Sequence, residues 1–373
     1  MKDINQPIPP SIIRHLEKRK STNGYRTLQQ MGHLIDFSSN DYLGLARNKE
    51  LSQYLQEQHG LKDPLLGGTG SRLISGNHIA YDECESYLEG VFDSEKVLLY
   101  NSGYAASQGV VSCIPQRGDT IIYDQFAHVC LKEGAWLSKA TSLPFMHNDL
   151  NDLERKLEKA TGEKYVVTET IFSMDGDVAP IEEIITICEQ HKARLIVDEA
   201  HSTGLYGKNG GGMLVDKGLH AHVLARIYTF GKGMGMHGAA VAGDTKVIDY
   251  LINFSRTFIY TTSLPSQSIR FIKGAFAFLR NHIELQQQLA ERITLFRKLY
   301  NDSISVTAVQ PILISGNDQA RETALLLQDK GLDVRAILSP TVKEGEERLR
   351  VSLHVHNTAE EIKELVDALL SIA

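Results

Sequence analysis

Between residues 80 and 260, short apolar runs alternate with segments whose apolar residues recur at helical spacing. The apolar runs predict strands at residues 97–100, 120–123, 165–168, 195–197, 227–230 and 239–242, and the helical spacing predicts helices at 81–91, 150–160 and 181–191. This rhythm predicts an α/β fold with a mainly parallel sheet covered by helices. Ligand chemistry is then expected at the carboxyl ends of the strands.

The pattern changes on both sides of this region. A basic helix is predicted at residues 11–20 and one long helix at 264–299, followed by a strand-like run at 305–314, a helix at 320–330, short strands near Val334 and at 349–353, and a last helix from Ala359. We therefore predict an N-terminal arm at residues 1–45, a large α/β domain at 46–280 and a small C-terminal α+β domain at 281–373.

Composition narrows the class of protein. The 373 residues are 42% hydrophobic and 23% charged, which is typical of a soluble globular protein of about two domains. The net charge of −7 argues against a nucleic-acid partner. Four scattered cysteines form no zinc or redox motif, and neither a signal peptide nor a membrane-spanning run is visible, so a cytoplasmic protein is expected.

The most distinctive segment is the glycine-rich stretch at residues 229–238, which follows a predicted strand and holds Lys232 as its one charged residue apart from His237. Glycines let the backbone approach a ligand closely. A lysine kept away from water can act as an amine nucleophile or a base. The alternative is a solvated lysine in a turn, so the segment alone does not decide its role.

Other strand ends supply partners for this amine. Asp198 ends an apolar strand, where a nearly buried carboxylate needs a partner. The other candidates are a ring-stacking histidine, two hydroxyls and a glycine-rich helix start suited to phosphate, namely His128, Ser173, Thr229, Gly103 and Tyr104. Together these groups match the needs of pyridoxal 5'-phosphate, with Lys232 forming the Schiff base and Asp198 keeping the pyridine nitrogen protonated.

Two other motif interpretations fail. The run Asp198-Glu199-Ala200-His201 also occurs in nucleic-acid-dependent ATPases, but the chain has no phosphate-binding loop upstream of it. The run Asp175-Gly176-Asp177 resembles a calcium loop, yet the glutamate and the spacing of such a loop are missing. No metal site is predicted.

The chain resembles the α-oxoamine synthases over nearly its whole length. The motifs that carry the resemblance are residues 38–45, 68–76, 172–177, 198–201 and 229–232. The resemblance implies fold type I, the fold of aspartate aminotransferase, and an acyltransferase that condenses an amino acid with an acyl thioester and releases carbon dioxide. The closest branch uses L-alanine and a pimeloyl thioester in biotin synthesis, as residues 229–233 with 238–241 and the run ending at Gly76 indicate.

The resemblance also implies roles for single residues. His201 would lie beside the phenolic oxygen of the cofactor, and His128 would stack on its ring. Either His128 or Ser173 would assist the attack on the thioester. Thr261 would contact the phosphate of the other subunit's cofactor, which implies a homodimer with shared active sites. The substrate-contact positions implied are Asn40 and Arg350 for the amino-acid carboxylate, with Arg26 and Thr341 as further contacts.

Two rival functions stay open. One is another α-oxoamine synthase that uses glycine with acetyl-, succinyl- or long-chain acyl-CoA. The other is a non-catalytic protein that binds a phosphate-bearing ligand. The resemblance does not distinguish coenzyme A from a carrier protein as the thioester. Two departures from the family pattern are Tyr81, where many members have histidine, and the bulky pair Met236-His237.

Overall fold

The computed structural model describes residues 8–60 and 66–372. The chain forms two compact units. The large unit contains residues 40–291 and 354–356 of the described chain, and the small unit contains the described part of residues 1–39 together with 292–353 and 357–372. The predicted domain limits at residues 45 and 280 stay a prediction.

The described elements are numbered in chain order. The helices are α1 (Pro10–Ser21), α2 (Lys49–His59), α3 (Ile79–Phe92), α4 (Gly103–Cys113), α5 (Val129–Leu137), α6 (Leu150–Lys159), α7 (Ile181–Gln190), α8 (Met213–Asp216), α9 (Thr245–Phe254), α10 (Arg256–Ile259), α11 (Ser266–Asn281), α12 (Glu284–Leu299), α13 (Asn317–Asp329) and α14 (Ala359–Ile372). The strands are β1 (Ile35–Asp36), β2 (Lys96–Tyr100), β3 (Thr120–Asp124), β4 (Thr141–Phe145), β5 (Lys164–Glu169), β6 (Arg194–Asp198), β7 (Ala225–Thr229), β8 (Ala239–Gly243), β9 (Val309–Leu313), β10 (Leu332–Asp333), β11 (Arg335–Ile337) and β12 (Arg348–Ser352).

A seven-stranded sheet in the order β2-β8-β7-β6-β5-β3-β4 is the centre of the large unit. The neighbours from β4 to β7 pair in parallel, whereas β8 runs antiparallel to both β2 and β7. The predicted α/β class with a mainly parallel sheet is confirmed. Parallel order brings the ends of β3, β5, β6 and β7 to one edge, where the sequence places its candidate polar residues.

Both faces of this sheet are buried, because successive side chains of a strand point to opposite sides. Ile121 of β3 joins an apolar cluster with residues of α4 and α5, while Ile122 joins a second cluster with residues of α6 and α7. Val167 and Val166 of β5 divide between the same two clusters. The strand ends are therefore fixed by a core that is packed on two sides.

The structure differs from the sequence expectation at β4 and within residues 264–299. β4 was not predicted, because it lies at the edge of the sheet, contains Pro144 and buries little beyond Phe145. The single helix expected over residues 264–299 is two helices, α11 and α12, separated at His282. His282 leaves the helical conformation, and its Nδ1 contacts the carbonyl oxygen of Phe278 at 2.8 Å.

The small unit contains an antiparallel sheet in the order β11-β12-β9 and a parallel pair of β1 with β10. Its core joins Phe37 and Phe296 with apolar residues of β12, α13 and α14. This unit therefore unites chain segments from both ends of the sequence around one core.

All four cysteines are free thiols. Among the described residues, no helix combines the length and the apolar character that crossing a bilayer requires.

Candidate active site

Lys232 lies in the tight connection between β7 and β8. The N–H of Met236 donates to the carbonyl oxygen of Phe230 at 2.8 Å, and the N–H of Gly235 donates to that of Lys232 at 2.9 Å. Gly235 has φ +62, a left-handed conformation that glycine adopts without strain. The glycine-rich sequence therefore folds back at once and holds a half-buried Lys232 at the end of β7.

A chain of hydrogen bonds leads from this lysine to Asn40. Lys232 Nζ lies 2.8 Å from His201 Nε2, His201 Nδ1 lies 2.8 Å from the Tyr42 hydroxyl, and that hydroxyl donates to Asn40 Oδ1 at 3.0 Å. Because Tyr42 has one hydroxyl proton and gives it to an oxygen that only accepts, His201 Nδ1 must donate to Tyr42. In the neutral ring, His201 Nε2 is then the acceptor that faces Lys232.

Asp198 ends β6 and is buried, with 5% of its surface exposed. Its Oδ2 accepts a hydrogen bond from the Ser107 hydroxyl at 3.0 Å, and its Oδ1 accepts one from the N–H of Ala200 at 2.8 Å. The carboxylate is therefore held by α4 and by the turn that follows β6. These hydrogen bonds are the partners that a buried carboxylate requires.

The next residue, Glu199, fixes the turn that carries His201. Its fully buried carboxylate accepts hydrogen bonds from the N–H groups of Met213 and Leu214 at 2.9 and 2.8 Å, and from the Ser202 hydroxyl. Burial raises the pKa of Glu199, and these hydrogen bonds oppose that rise. Within the motif at residues 198–201, Asp198 therefore lies at the candidate site, whereas Glu199 binds backbone groups in the core.

His128 precedes α5 and faces the same edge of the sheet. Its N–H donates to Glu169 Oε1 at 2.6 Å, and Glu169 ends β5 in register with Asp198 at the end of β6. Although His128 keeps an exposed surface, the protein atoms around its ring exclude water, which lowers its pKa. The charge of Lys232 lowers this pKa further, and that of Asp198 opposes the change.

Glu169 is another buried acid at this edge of the sheet. Burial raises its pKa to about 8, the charge of Asp198 adds to the rise, and Lys232 together with the N–H of His128 opposes it. One electrostatic cluster is therefore formed by the amine of Lys232, the carboxyl groups of Asp198 and Glu169 and the imidazole of His128. Glu169 is not among the predicted site residues, although its place at the end of β5, in line with Asp198, is a sequence signal that could have identified it.

The start of α4 meets the end of β7. A side chain at Gly103 would occupy the space of the Thr229 hydroxyl, so only glycine lets these two elements come this close. The Ser102 hydroxyl caps the helix by accepting from the N–H of Ala105. Gly103 and Thr229, which are predicted to contact the phosphate, are therefore adjacent. Tyr104 follows Gly103, and its hydroxyl donates to Glu133.

The remaining predicted site residues lie in loops of the large unit and in the small unit. Ser173 is buried in the loop after β5. In the small unit, Arg26 Nη2 donates to Thr341 Oγ1 at 3.1 Å, and Arg350 lies in β12, 8% exposed, where it donates to the Ser352 hydroxyl at 2.9 Å. Thr261 adjoins Thr262, whose carbonyl oxygen accepts from the Asn101 amide at 2.6 Å. Its contact with a second subunit stays a prediction.

Tyr81 and the pair Met236-His237, which depart from the family pattern, lie in different surroundings. Tyr81 is buried, and its hydroxyl accepts a hydrogen bond from the N–H of Leu264 at 2.8 Å while the Arg72 guanidinium lies over its ring, so its role is packing. Met236 and His237 line a surface cavity of about 450 Å³ with residues of α2 and α11, and His237 is exposed.

These residues fit pyridoxal 5'-phosphate on chemical grounds. The site offers an amine at Lys232, a buried and hydrogen-bonded carboxylate at Asp198, and a glycine at the start of a capped helix where backbone N–H groups can bind phosphate. His128 adds an aromatic ring within electrostatic reach of both Lys232 and Asp198.

Comparisons with known proteins identify the family of this chain. The family model of the aminotransferases of class I and II matches residues 32–369. A relative from Marinobacter nauticus named 8-amino-7-oxononanoate synthase is 37% identical, with 96% of this chain and 95% of the relative aligned. The chain belongs to the α-oxoamine synthases. A second synthase of that name, from Aromatoleum aromaticum, is 36% identical to this α-oxoamine synthase over 90% of its chain and 88% of the relative.

Solved structures match the fold of this α-oxoamine synthase. A serine palmitoyltransferase from S. paucimobilis has a TM-score of 0.87 at 23% identity, covering 97% of this chain and 96% of that one. The 8-amino-7-oxononanoate synthase of Francisella tularensis has a TM-score of 0.77 at 26% identity, covering 91% and 97%. The expected fold type, the acyltransferase class and pyridoxal 5'-phosphate as cofactor are thereby confirmed.

Proposed function

We propose that this α-oxoamine synthase condenses L-alanine with a pimeloyl thioester to form 8-amino-7-oxononanoate. A carbon–carbon bond forms between the alanine α-carbon and the thioester carbonyl carbon, the thiol leaves, and the amino-acid carboxylate departs as carbon dioxide. The names of relatives that align over nine-tenths of the chain support this choice.

The observation that carries the choice of acyl group is a cavity of about 460 Å³ in the small unit. It is lined by four arginines, Arg19, Arg26, Arg321 and Arg335. Arg26 donates to Thr341, Arg321 to the carbonyl oxygen of Asn23, and Arg335 to Asp333 at 2.7 Å. Guanidinium groups bind carboxylates through paired hydrogen bonds. Pimeloyl and succinyl groups end in a carboxylate, whereas acetyl and palmitoyl groups do not, so this basic lining supports a dicarboxylic acyl chain.

In this proposal Lys232 transfers the proton and His201 positions Lys232. Pyridoxal 5'-phosphate, when bound, supplies a conjugated ring that accepts the electron pair released at the α-carbon. Lys232 removes the α-proton, and His201 Nε2, 2.8 Å from Lys232 Nζ, holds the amine in place through its lone pair. Tyr42 keeps His201 in the tautomer that leaves this lone pair available.

Further roles belong to the same proposal. Asp198 would supply a negative charge to the pyridine nitrogen of the bound cofactor, and either His128 or Ser173 would assist the attack on the thioester. Asn40 and Arg350 bind the amino-acid carboxylate, and Arg26 with Thr341 contacts the substrate. The proposal includes a homodimer in which Thr261 of the partner subunit contacts the phosphate.

A substrate screen tests the proposal. Purified holoenzyme is incubated with L-alanine or glycine, each with pimeloyl-CoA, a pimeloyl carrier protein, acetyl-CoA, succinyl-CoA or palmitoyl-CoA, and products are identified by mass. We expect 8-amino-7-oxononanoate from alanine and a pimeloyl thioester, and no product from the Lys232→Ala variant.

Other outcomes would decide for the rivals. Turnover of glycine with a CoA thioester, and none of alanine with either pimeloyl thioester, would place the protein in another branch of the family. Absence of any product from a protein that binds the cofactor would show that none of these thioesters is its acyl donor.

A further inference from the structure

Three loops at the active-site edge of the large unit meet at His147. This histidine follows β4 and lies between two carboxylates. Its Nδ1 is 2.9 Å from Asp124 Oδ1 at the end of β3, and its Nε2 is 2.7 Å from Asp177 Oδ2 in the loop after β5. The neighbouring Asn148 repeats the arrangement, with its N–H on Asp124 at 3.0 Å and its side-chain amide on Asp177 at 2.8 Å.

The geometry requires a charged ring. Both nitrogens face oxygens of carboxylates, and only the imidazolium donates from both nitrogens at once. Burial by itself lowers the pKa of His147, but the hydrogen bonds to Asp124 and Asp177 and their charges outweigh it and raise the pKa to about 9. The ring is enclosed by Phe126, stacked at 4.4 Å, and Phe172, in edge contact at 4.4 Å.

Asp152 and Lys132 also lie beside this cluster, and their hydrogen bonds to the loops are with backbone groups and not with the ring. Asp152 of α6 accepts from the N–H of Met146 at 2.8 Å, and Lys132 of α5 acts on Asp124 while its Nζ donates to the carbonyl oxygen of Gln125. The charge on His147 is therefore set chiefly by its two carboxylate partners.

Each aspartate also holds a loop that carries a residue of the candidate site, Asp124 through its carboxylate and its backbone carbonyl oxygen and Asp177 through its backbone carbonyl oxygen. Asp124 Oδ1 accepts from the N–H of Phe126 at 2.7 Å and its carbonyl oxygen accepts from that of Ala127 at 2.9 Å, directly before His128. On the other side, the N–H of Phe172 donates to the carbonyl oxygen of Asp177 at 3.0 Å, directly before Ser173.

We propose that protonated His147 is a positioning residue that clamps the His128 loop to the Ser173 loop through Asp124 and Asp177. The inference rests on the proposed roles of His128 and Ser173 in the cofactor site, and it is independent of which amino acid and acyl group react. His147 itself contacts neither cofactor nor substrate in this assignment.

The test compares wild type with His147→Gln, which keeps one donor and removes the charge. The matched control is His222→Gln, which removes an exposed histidine paired with Glu189 at 2.7 Å on the same unit. Cofactor affinity is measured by titrating each apoprotein with pyridoxal 5'-phosphate from pH 6.5 to 10. We expect about tenfold weaker binding for His147→Gln at pH 7, the effect of losing one charge-assisted hydrogen bond.

The pH profile separates positioning by charge from simple packing. The wild-type advantage over His147→Gln should vanish through a midpoint near pH 9, while His222→Gln should match wild type at every pH. A ratio of affinities that stays constant with pH, or that equals one at pH 7, would overturn the proposal.

A second measurement keeps the test decisive if His147→Gln folds poorly. Ring-labelled histidine in the wild-type apoprotein and in Asp177→Asn is followed by NMR through the same pH range. We expect the His147 signal of wild type to keep imidazolium shifts to about pH 9, and Asp177→Asn to titrate at lower pH. A neutral His147 ring at pH 7.5 in wild type would contradict the clamp even if the substrate assignment holds.

Discussion

Replacing Glu169 with glutamine should make the free energy of unfolding of the apoprotein depend less on pH. The side chain is buried at the end of β5, and its pKa is raised to about 8, first by burial and then by the charge of Asp198. An unfolded glutamate ionises near its ordinary value of 4.5, so between these two values the native state holds more protons than the unfolded state. Stability conferred by protonated Glu169 is therefore complete below pH 4.5 and is lost as the pH rises toward 8.

The size of this effect follows from the difference between the two pKa values. At about 1.36 kcal/mol for each pH unit, the wild type loses at most about 5 kcal/mol between pH 4.5 and pH 8, and glutamine has no such loss. Glutamine also keeps an oxygen that can accept from the N–H of His128, now 2.6 Å from Glu169 Oε1. The stability of Glu169→Gln relative to wild type should therefore rise steadily with pH.

Urea unfolding of the apoproteins at several pH values from 5 to 9 measures this difference. Trp136, the one tryptophan of the chain, lies in α5 of the same unit as Glu169 and reports unfolding of that unit by fluorescence. Glu158→Gln, at an exposed position of α6, is the matched control and should show no trend. A stability difference between Glu169→Gln and wild type that is the same at pH 5 and pH 9 would refute the reasoning.

Three further substitutions probe other parts of the site. Tyr42→Phe removes the hydroxyl that fixes the His201 tautomer, so kcat should fall about tenfold with an altered pH profile; an unchanged profile would count against the chain of hydrogen bonds. Ser107→Ala removes a donor 3.0 Å from Asp198 and should weaken cofactor binding about tenfold in a fluorescence titration, whereas equal affinity would show that this bond is dispensable. Arg350→Lys should raise KM for the amino acid about tenfold or more at unchanged cofactor affinity, because lysine cannot form paired hydrogen bonds with a carboxylate; an unchanged KM would remove Arg350 from the substrate site.

The sheet of the large unit was predictable because its strands are buried on both faces. Runs such as residues 195–197 are apolar at every position and stand out from the helices between them. The edge strand β4 has no such signal, since exposure on one side allows polar residues and Pro144. The break at His282 was missed for a related reason, because neither glycine nor proline marks it.

The candidate site was predictable where a residue lies at the end of a recognisable strand. Asp198 and Lys232 are of this kind. Tyr42, Ser107 and His147 are not, because their partners are distant in sequence and depend on the register of the strands and on the paths of loops. The resemblance to the α-oxoamine synthases supplied roles for Asn40 and Arg350 that no local pattern indicates.

Trapping the cofactor on the chain tests the central claim most directly, which is that Lys232 is the attachment point of pyridoxal 5'-phosphate. The holoenzyme is reduced with borohydride, digested with trypsin and mapped by mass spectrometry. Modification of Lys232 blocks cleavage there, so the account predicts a labelled peptide spanning residues 227–246. A label on another lysine, such as Lys132 near Asp124 and Glu169, with Lys232 unmodified, would contradict it.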